Sequence, residues 1–360
     1  MKEDDMPSPK NLKERFDFKK LGNTETLNNV KDFIIRNLLY ILLFAAIVGI
    51  AVYDPRFLSL SSIINIISLS AANLPIALGI AGCIILMGTD LSAGRIVGVT
   101  ACIAASLLQA SGYAGKMFPT LPTFPLFAVF LIVIAIGALV GFINGFCTAK
   151  FKLHPFIVTL ATQLITYGAL LVYLMQGTNN GQSISGLDAG YTNFITGSLI
   201  RIGNASIPKY VLYVLIITVI MWFTWNKTVF GKNMFAVGSN PEAANVSGVN
   251  VNRTIILVFV LAGVMYGITG FIEAARIGSN SAATGLNYEL DAIAACVIGG
   301  VSFVGGIGKI RGVIMGVLLL RIIFVGLTFL GIDSNMQYVI KGLIILVACA
   351  IDMRKYLSKK

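Results

Sequence analysis

Charge is scarce in this chain. Asp, Glu, Lys and Arg make up 12% of its 360 residues, against roughly 25% in a soluble globule. That shortage excludes a water-facing surface over the whole molecule, and with it a soluble enzyme or a disordered polar chain. Histidine occurs once, as His154. The five cysteines, Cys83, Cys102, Cys147, Cys296 and Cys349, lie in or at the ends of apolar runs, and none pairs at a metal-ligand spacing. They read as small apolar side chains, with no disulfide framework and no metal site expected. A nucleotide-cradling G-x-x-x-x-G-K-[ST] is also missing. In the run Gly305-Gly306-Ile307-Gly308-Lys309, Phe303 occupies the first glycine position and Ile310 follows the lysine. No loop here is therefore built to hold a nucleotide phosphate, and any ATP that drives the protein is bound by another chain. No chain of buried acids and histidines offers a proton relay, and no nucleophile–base pair points to a membrane enzyme. The chain is expected to be neither an enzyme nor the holder of a cofactor.

What is present is apolar. Hydrophobic residues make up 56% of the chain and glycine contributes 37 residues; mean hydropathy is +0.85. A helix needs about 20 apolar residues to cross about 30 Å of hydrocarbon. Ten runs qualify, at 34–53, 63–87, 92–111, 125–147, 155–175, 208–226, 253–275, 289–306, 309–331 and 335–352. The fold class this predicts is all-α: a polytopic membrane protein of about ten transmembrane helices. The third and eighth runs are rich in Gly and Ala and abut Gly-rich turns, so one or both are expected to be broken or incomplete.

The formal net charge of +11 invites a nucleic-acid reading, but its placement argues against one. Residues 1–33 hold seven Lys/Arg and seven Asp/Glu, a neutral tail. The excess sits in short loops, where it orients helices. With the N-terminus inside, 20 Lys/Arg fall on the cytoplasmic side and five on the outer side (Arg56, Lys116, Arg201, Lys209, Arg276), while Arg321 and Lys341 fall within runs. Both termini are then cytoplasmic. The division is a charged tail over 1–33 and a transmembrane unit over 34–356, in a lipid bilayer and without nucleic acid as a partner.

Two loops are long. The outer one covers 176–207. The cytoplasmic one covers 227–252 and carries helix-start chemistry: Asn240 suits an N-cap, Pro241 the first helical position, Glu242 the positive end of the helix dipole and Gly248 a stop. Glu242-Ala243-Ala244, three residues and then Gly248 fit the EAA-xxx-G signature of permeases that couple to an ATPase subunit. A short amphipathic helix of this kind can sit in a cleft of a cytosolic motor and carry its movement to the spans. An ordinary capped loop helix is the plainer alternative.

Gly88-Thr89-Asp90-Leu91-Ser92-Ala93-Gly94 is echoed 212 residues later by Gly300-Val301-Ser302-Phe303-Val304-Gly305-Gly306. Each lies between two apolar runs, which suggests two related halves. Irregular backbone at membrane depth is tolerated only when buried in protein or lining a cavity, so both turns are candidate pathway or hinge positions. Asn73, Thr89, Asp90, Asn144, Gln163, Asp291 and Ser302 are the candidate pathway or gate residues, with interhelical hydrogen bonding as the plainer role for each. Asp291 and Glu289 are placed near the outer end of the eighth run, where water reaches. Arg321 is expected to snorkel or pair. Gly137, Gly141 and Gly145, with Gly263 and Gly267, read as helix-packing faces. His154, ahead of Pro155, reads as loop structure.

Several of these segments resemble a known family. Gly88-Thr89-Asp90-Leu91-Ser92-Ala93-Gly94-Arg95, Phe230-Gly231-Lys232-Asn233, the stretch from Ala236 to Ala244, Ser247-Gly248-Val249-Asn250-Val251, and Tyr288 to Ala295 with the following Gly-Gly-x-Ser are similar to the membrane permeases of bacterial sugar ATP-binding-cassette (ABC) importers. Thr89, Asn240 and Pro241 side with the galactose/methyl-galactoside type rather than the ribose type. The resemblance covers roughly 34–356. It implies an inner-membrane permease that imports a monosaccharide, as a dimer of two permease copies. ATPase subunits holding ATP and magnesium would dock on its cytoplasmic face, and an extracytoplasmic binding protein would deliver the sugar. A stand-alone channel or ion-coupled carrier is the alternative, and it leaves EAA-xxx-G unexplained.

Overall fold

The structure is a computed structural model that describes residues 41, 44–203 and 205–357. The charged tail 1–33, and the start of the first apolar run, lie outside the described residues. A short helix α1 (Phe44–Tyr53) leads through a single 3-10 turn to α2 (Leu60–Ile85), α3 (Ala93–Leu107), α4 (Leu126–Phe151) and α5 (Pro155–Leu174). Then come α6 (Ala189–Thr196), a hairpin of β1 (Ser198–Ile202) and β2 (Ala205–Pro208), and α7 (Tyr210–Lys227). The chain continues as α8 (Val229–Ser239), α9 (Pro241–Val246), α10 (Val251–Ile277), α11 (Tyr288–Ile298), α12 (Ile310–Phe329) and α13 (Ser334–Leu357). Each of the ten apolar runs contains one of these helices in its described part. Six of them (α2, α4, α5, α7, α10 and α12) are long and apolar enough to cross a membrane.

The third and eighth runs give short helices, 15 residues for α3 and 11 for α11. At 1.5 Å per residue these span about 22 and 16 Å, too little to cross alone. The antiparallel hairpin between α6 and α7 is a local addition to otherwise helical elements among the described residues. The two Gly-rich turns hold matching places, joining α2 to α3 and α11 to α12, although α2 is 26 residues long and α11 only 11.

Glycine sets the centre of the bundle. Residues four apart lie on one helix face, so Gly137, Gly141 and Gly145 form a smooth stripe along α4. A Cβ at Gly137 would strike the Gly263 carbonyl, one at Gly141 the Phe259 carbonyl, and one at Gly263 the Gly137 carbonyl. α4 and α10 therefore pack backbone to backbone, as small residues permit where no hydrophobic drive separates helix from lipid. Around this pair, Ile76, Leu78, Ile80, Ile84 and Ile85 of α2 and Ile96 and Val97 of α3 are buried in one continuous core. The side chains left exposed, such as Phe127 and Leu139 on α4 and Leu164 and Ile165 on α5, are apolar too. That is what a lipid-facing surface requires.

Between α10 and α11 the chain folds back into the bundle. Arg95 donates through Nη1 to the Ala282 carbonyl at 3.0 Å, and its guanidinium lies 4.2 Å from the Tyr167 ring centroid. Thr284 lies against Gly98, and Gly285 against Gly94. Residues 278–287 thus descend along α3, and α11 starts deep in the molecule. This corrects two sequence expectations. Glu289 and Asp291 do not sit at an outer end. Glu289 is buried beside Gly94, and Asp291 shares a pocket with Asn73, at the middle of α2. Arg95, counted among the cytoplasmic loop charges, is instead held inside the bundle. The cause is tertiary: the descending segment displaces the start of α11.

Candidate functional site: an exposed helix joined to a glycine-rich turn

The segment from 227 to 252 folds as its local chemistry dictates. Thr228 caps α8, its hydroxyl accepting from the Gly231 amide at 3.2 Å. Asn240 is extended and ends α8. Its Oδ1 accepts from the Ala243 amide at 3.0 Å and opens α9, with Pro241 and Glu242 in the first turn. Gly248 adopts φ +84, a left-handed conformation that closes the helix as glycine readily can, and Val249 donates to the Ala244 carbonyl at 3.0 Å. Asn250 then accepts from the Arg253 amide at 2.9 Å and starts α10. Ala244 is the buried anchor of α9. Glu242 and Ala243 are exposed, and Val246 is 89% exposed. Beside α9 lies a groove of about 630 Å³, lined by Glu242, Asn245 and Gly248 on one side and Lys152 on the other. The preceding helix, α8, occupies residues that the sequence assigns to the cytoplasmic loop.

The end of α8 is wedged against the end of α2 and the second Gly-rich turn. The Gly306 amide donates to the Ile85 carbonyl at 2.9 Å, joining the turn after α11 to the end of α2. A Cβ on Gly238 would collide with that same Ile85 carbonyl, and one on Gly305 with the Gly238 carbonyl. Ser239 lies against Gly306. The 300–308 turn is tied as well to α13: the Ser302 hydroxyl donates to Asp352 Oδ2 at 3.0 Å, and the Phe303 amide donates to the same oxygen at 3.1 Å. One residue, Asn240, separates this contact from α9.

The other predicted polar residues fall into separate groups. Asp90 is fully buried and accepts from the Ser92 amide and hydroxyl at 3.0 and 2.6 Å. Asn144 donates to the Ser92 hydroxyl at 2.9 Å, and the Thr89 carbonyl accepts from Thr159 at 3.1 Å. Thr89, Asp90 and Asn144 therefore converge at the start of α3. Gln163 meets Glu289 at 3.5 Å. Asn73 and Asp291 line one small pocket. Ser302 sits apart, on Asp352. The seven do not form one site. Arg321 pairs with Asp291 at 3.4 Å, and Lys341 takes its other oxygen at 2.6 Å. His154 caps α5, accepting from the Phe156 amide at 3.3 Å.

Two polar arrangements escaped the sequence reading. Glu273, with no exposed side-chain surface, is clamped by Arg276 at 2.8 and 2.7 Å and receives the Tyr288 hydroxyl at 3.1 Å. The i, i+3 spacing of Glu273 and Arg276 was the available signal. Asp352 gave none, since its partners are 50 and 49 residues away.

Residues 62–349 match the branched-chain amino acid transport system / permease component family. The chain belongs to this family of transport permeases. It is a multi-pass membrane protein of that kind. It is 47% identical over 323 residues to the galactose/methyl galactoside import permease protein MglC of Escherichia coli strain K12, covering 89% of this chain and 95% of the relative. It is 44% identical over 333 residues to the protein of that name from Haemophilus influenzae, covering 92% and 98%. The ribose import permease protein RbsC of Bacillus subtilis strain 168 is 36% identical over 313 residues, covering 87% and 91%. No solved structure matches this permease. Its sequence resemblance to galactoside-type permeases thus extends over most of the chain, and Thr89, Asn240 and Pro241 stand within that span.

Proposed function

We propose that this permease is the membrane-spanning subunit of an ABC importer that carries a monosaccharide, galactose or a methyl galactoside, into the bacterial cytoplasm across the inner membrane. The observation that carries the coupling is α9, an exposed helix joined through Asn240 to the Gly238–Ile85–Gly306 junction and, through Gly248 and Asn250, to the start of α10. The choice of sugar follows the relatives' names. ATP and magnesium belong to a separate ATPase docked on the α9 face, which the excess of Lys and Arg assigns to the cytoplasm. An extracytoplasmic binding protein delivers the sugar on the opposite face, the side of α6 and the hairpin. A second permease copy completes a homodimer, residues 34–356 form the transmembrane unit, and both termini are cytoplasmic.

Mechanically, the ATPase grips Glu242, Ala243 and Val246 in a cleft and moves α9 as it closes on ATP. α8 transmits this as a short rigid rod. Its end bears on the Ile85 carbonyl and on Gly305 and Gly306, with the Ser239 and Met87 side chains packed into the same contact. The turns that end α2 and α11 shift together, and the helices that enclose Asp90, Asn144, Gln163 and Ser302 alternate their opening.

Reconstitution in proteoliposomes tests the reading. Labelled galactose should enter only with ATP on the α9 side, the co-purified ATPase and the binding protein present. Entry at the same rate without ATP and without the ATPase would replace it with the channel or carrier reading.

A further inference from the structure

One group of charges takes no part in the coupling path. Asp291 of α11, Arg321 of α12 and Lys341 of α13 meet inside the bundle, with side chains 14%, 17% and 15% exposed. Ionisable groups at this depth are costly and mark functional positions by default. A single carboxylate serves both cations. An arginine carries five N–H donors and a lysine three, yet Arg321 meets Asp291 through one nitrogen at a long 3.4 Å. Among the described residues neither cation has another acceptor.

These donors border a cavity of about 190 Å³, well above the roughly 10–15 Å³ that a single water needs. Ser334 and Gln337, at the start of α13, line its opening on the hairpin face, and Tyr338 and Phe324 supply aromatic walls. Lys341 lies 5.3 Å from the ring centroids of both. Asp291, Arg321 and Phe324 also line a smaller void of about 10 Å³ that reaches Asn73 and is otherwise walled by Ala292, Ala295, Val317 and Leu320.

We propose that this cavity is a transit site for the sugar, in which Arg321, Lys341, Gln337 and Tyr338 hydrogen-bond its hydroxyls beside Asp291; the proposal rests on the importer reading above. The site offers strong donors and a strong acceptor side by side. An anion would face the Asp291 carboxylate, and a cation would face two positive groups. A neutral polyol meets both, because each hydroxyl donates and accepts. Ser334 and Gln337 place the entrance on the face where sugar arrives.

The test uses a Gln337→Cys variant in the full transporter, in right-side-out vesicles, labelled with an impermeant methanethiosulfonate reagent; the unmodified chain controls for its own cysteines. Galactose at millimolar concentration should slow labelling of the introduced thiol several-fold, and inorganic phosphate should not. Equal rates with and without galactose would overturn the site, as would protection by phosphate or a thiol that the reagent cannot reach. Tyr338→Phe is the companion variant. It should raise the KM for uptake by about three- to tenfold, the range expected for one hydrogen bond, and leave ATPase co-purification unchanged. ATP-driven uptake by the unmodified protein reports separately on the importer reading. Its persistence beside an unprotected thiol would sink the site alone; its absence would sink the importer.

Discussion

The Gly306 amide donates to the Ile85 carbonyl at 2.9 Å, joining the turn after α11 to the end of α2, 221 positions apart in the chain (306 − 85). The contact exists because glycine stands on both sides of it. Gly305 and Gly306 adopt φ +88 and +66, and Gly238 lets the end of α8 lie on the same carbonyl. Any movement of α8 therefore reaches α2 and α11 through backbone.

Glu242→Arg and Gly248→Trp alter the docking helix only. Both positions are exposed. Each variant should lower ATPase recovery in a pull-down several-fold while its elution in size-exclusion chromatography stays unchanged. Asn240→Ala should act more mildly, since losing an N-cap costs about 1 kcal/mol of helix stability. Full ATPase recovery in both of the first two variants would remove α9 from the interface.

Gly238→Val targets transmission. The added side chain meets the Ile85 carbonyl and the Gly306 amide, so the junction must open. The ATPase should still co-purify, because α9 is untouched, but galactose uptake should fall at least tenfold while ATP hydrolysis continues. Hydrolysis and uptake that fall in proportion would mean that the junction governs assembly instead.

Asp352→Ala frees the 300–308 turn from α13 by removing the oxygen that both Ser302 and Phe303 use. Uptake per ATP hydrolysed should drop, and Asp352→Asn, which keeps one acceptor oxygen, should recover part of it. Equal coupling ratios in all three proteins would show that the tether is dispensable.

Two scaffold substitutions should act on stability. Gly137→Leu drives a side chain into the Gly263 backbone, and overpacking of this kind costs about 1–3 kcal/mol or more. Glu273→Gln leaves Arg276 without its carboxylate; breaking a buried pair costs about 3–5 kcal/mol, reduced here because Arg276 remains one quarter exposed. Both should lower the melting temperature in detergent, and adding Arg276→Met to Glu273→Gln should restore part of the loss.

What could be read from sequence was local. Hydropathy located the runs because a bilayer demands a minimum apolar length. The cap at Asn240, the stop at Gly248 and the glycine stripe at Gly137, Gly141 and Gly145 were legible because each depends on neighbours within one or two turns. α8 was missed because Lys232, Asn233 and Ser239 interrupt its apolar residues. The depth of Glu289 and Asp291 was misread for a different reason. It is fixed by contacts of residues 282–285 with Gly94, Arg95 and Gly98, close to 190 residues away in the chain, and no local pattern encodes them. The seven candidate pathway residues were each polar within an apolar run, a signal that marks burial but does not say which of them meet.

The most direct test of the coupling account is a pull-down of the detergent-solubilised permease beside its Glu242→Arg variant, with mass spectrometry of what accompanies each. The account predicts a protein carrying Walker motifs at a fixed ratio with the unmodified chain, and its loss from the variant. An unmodified permease that recovers no ATPase, yet moves galactose into liposomes without ATP, would contradict it.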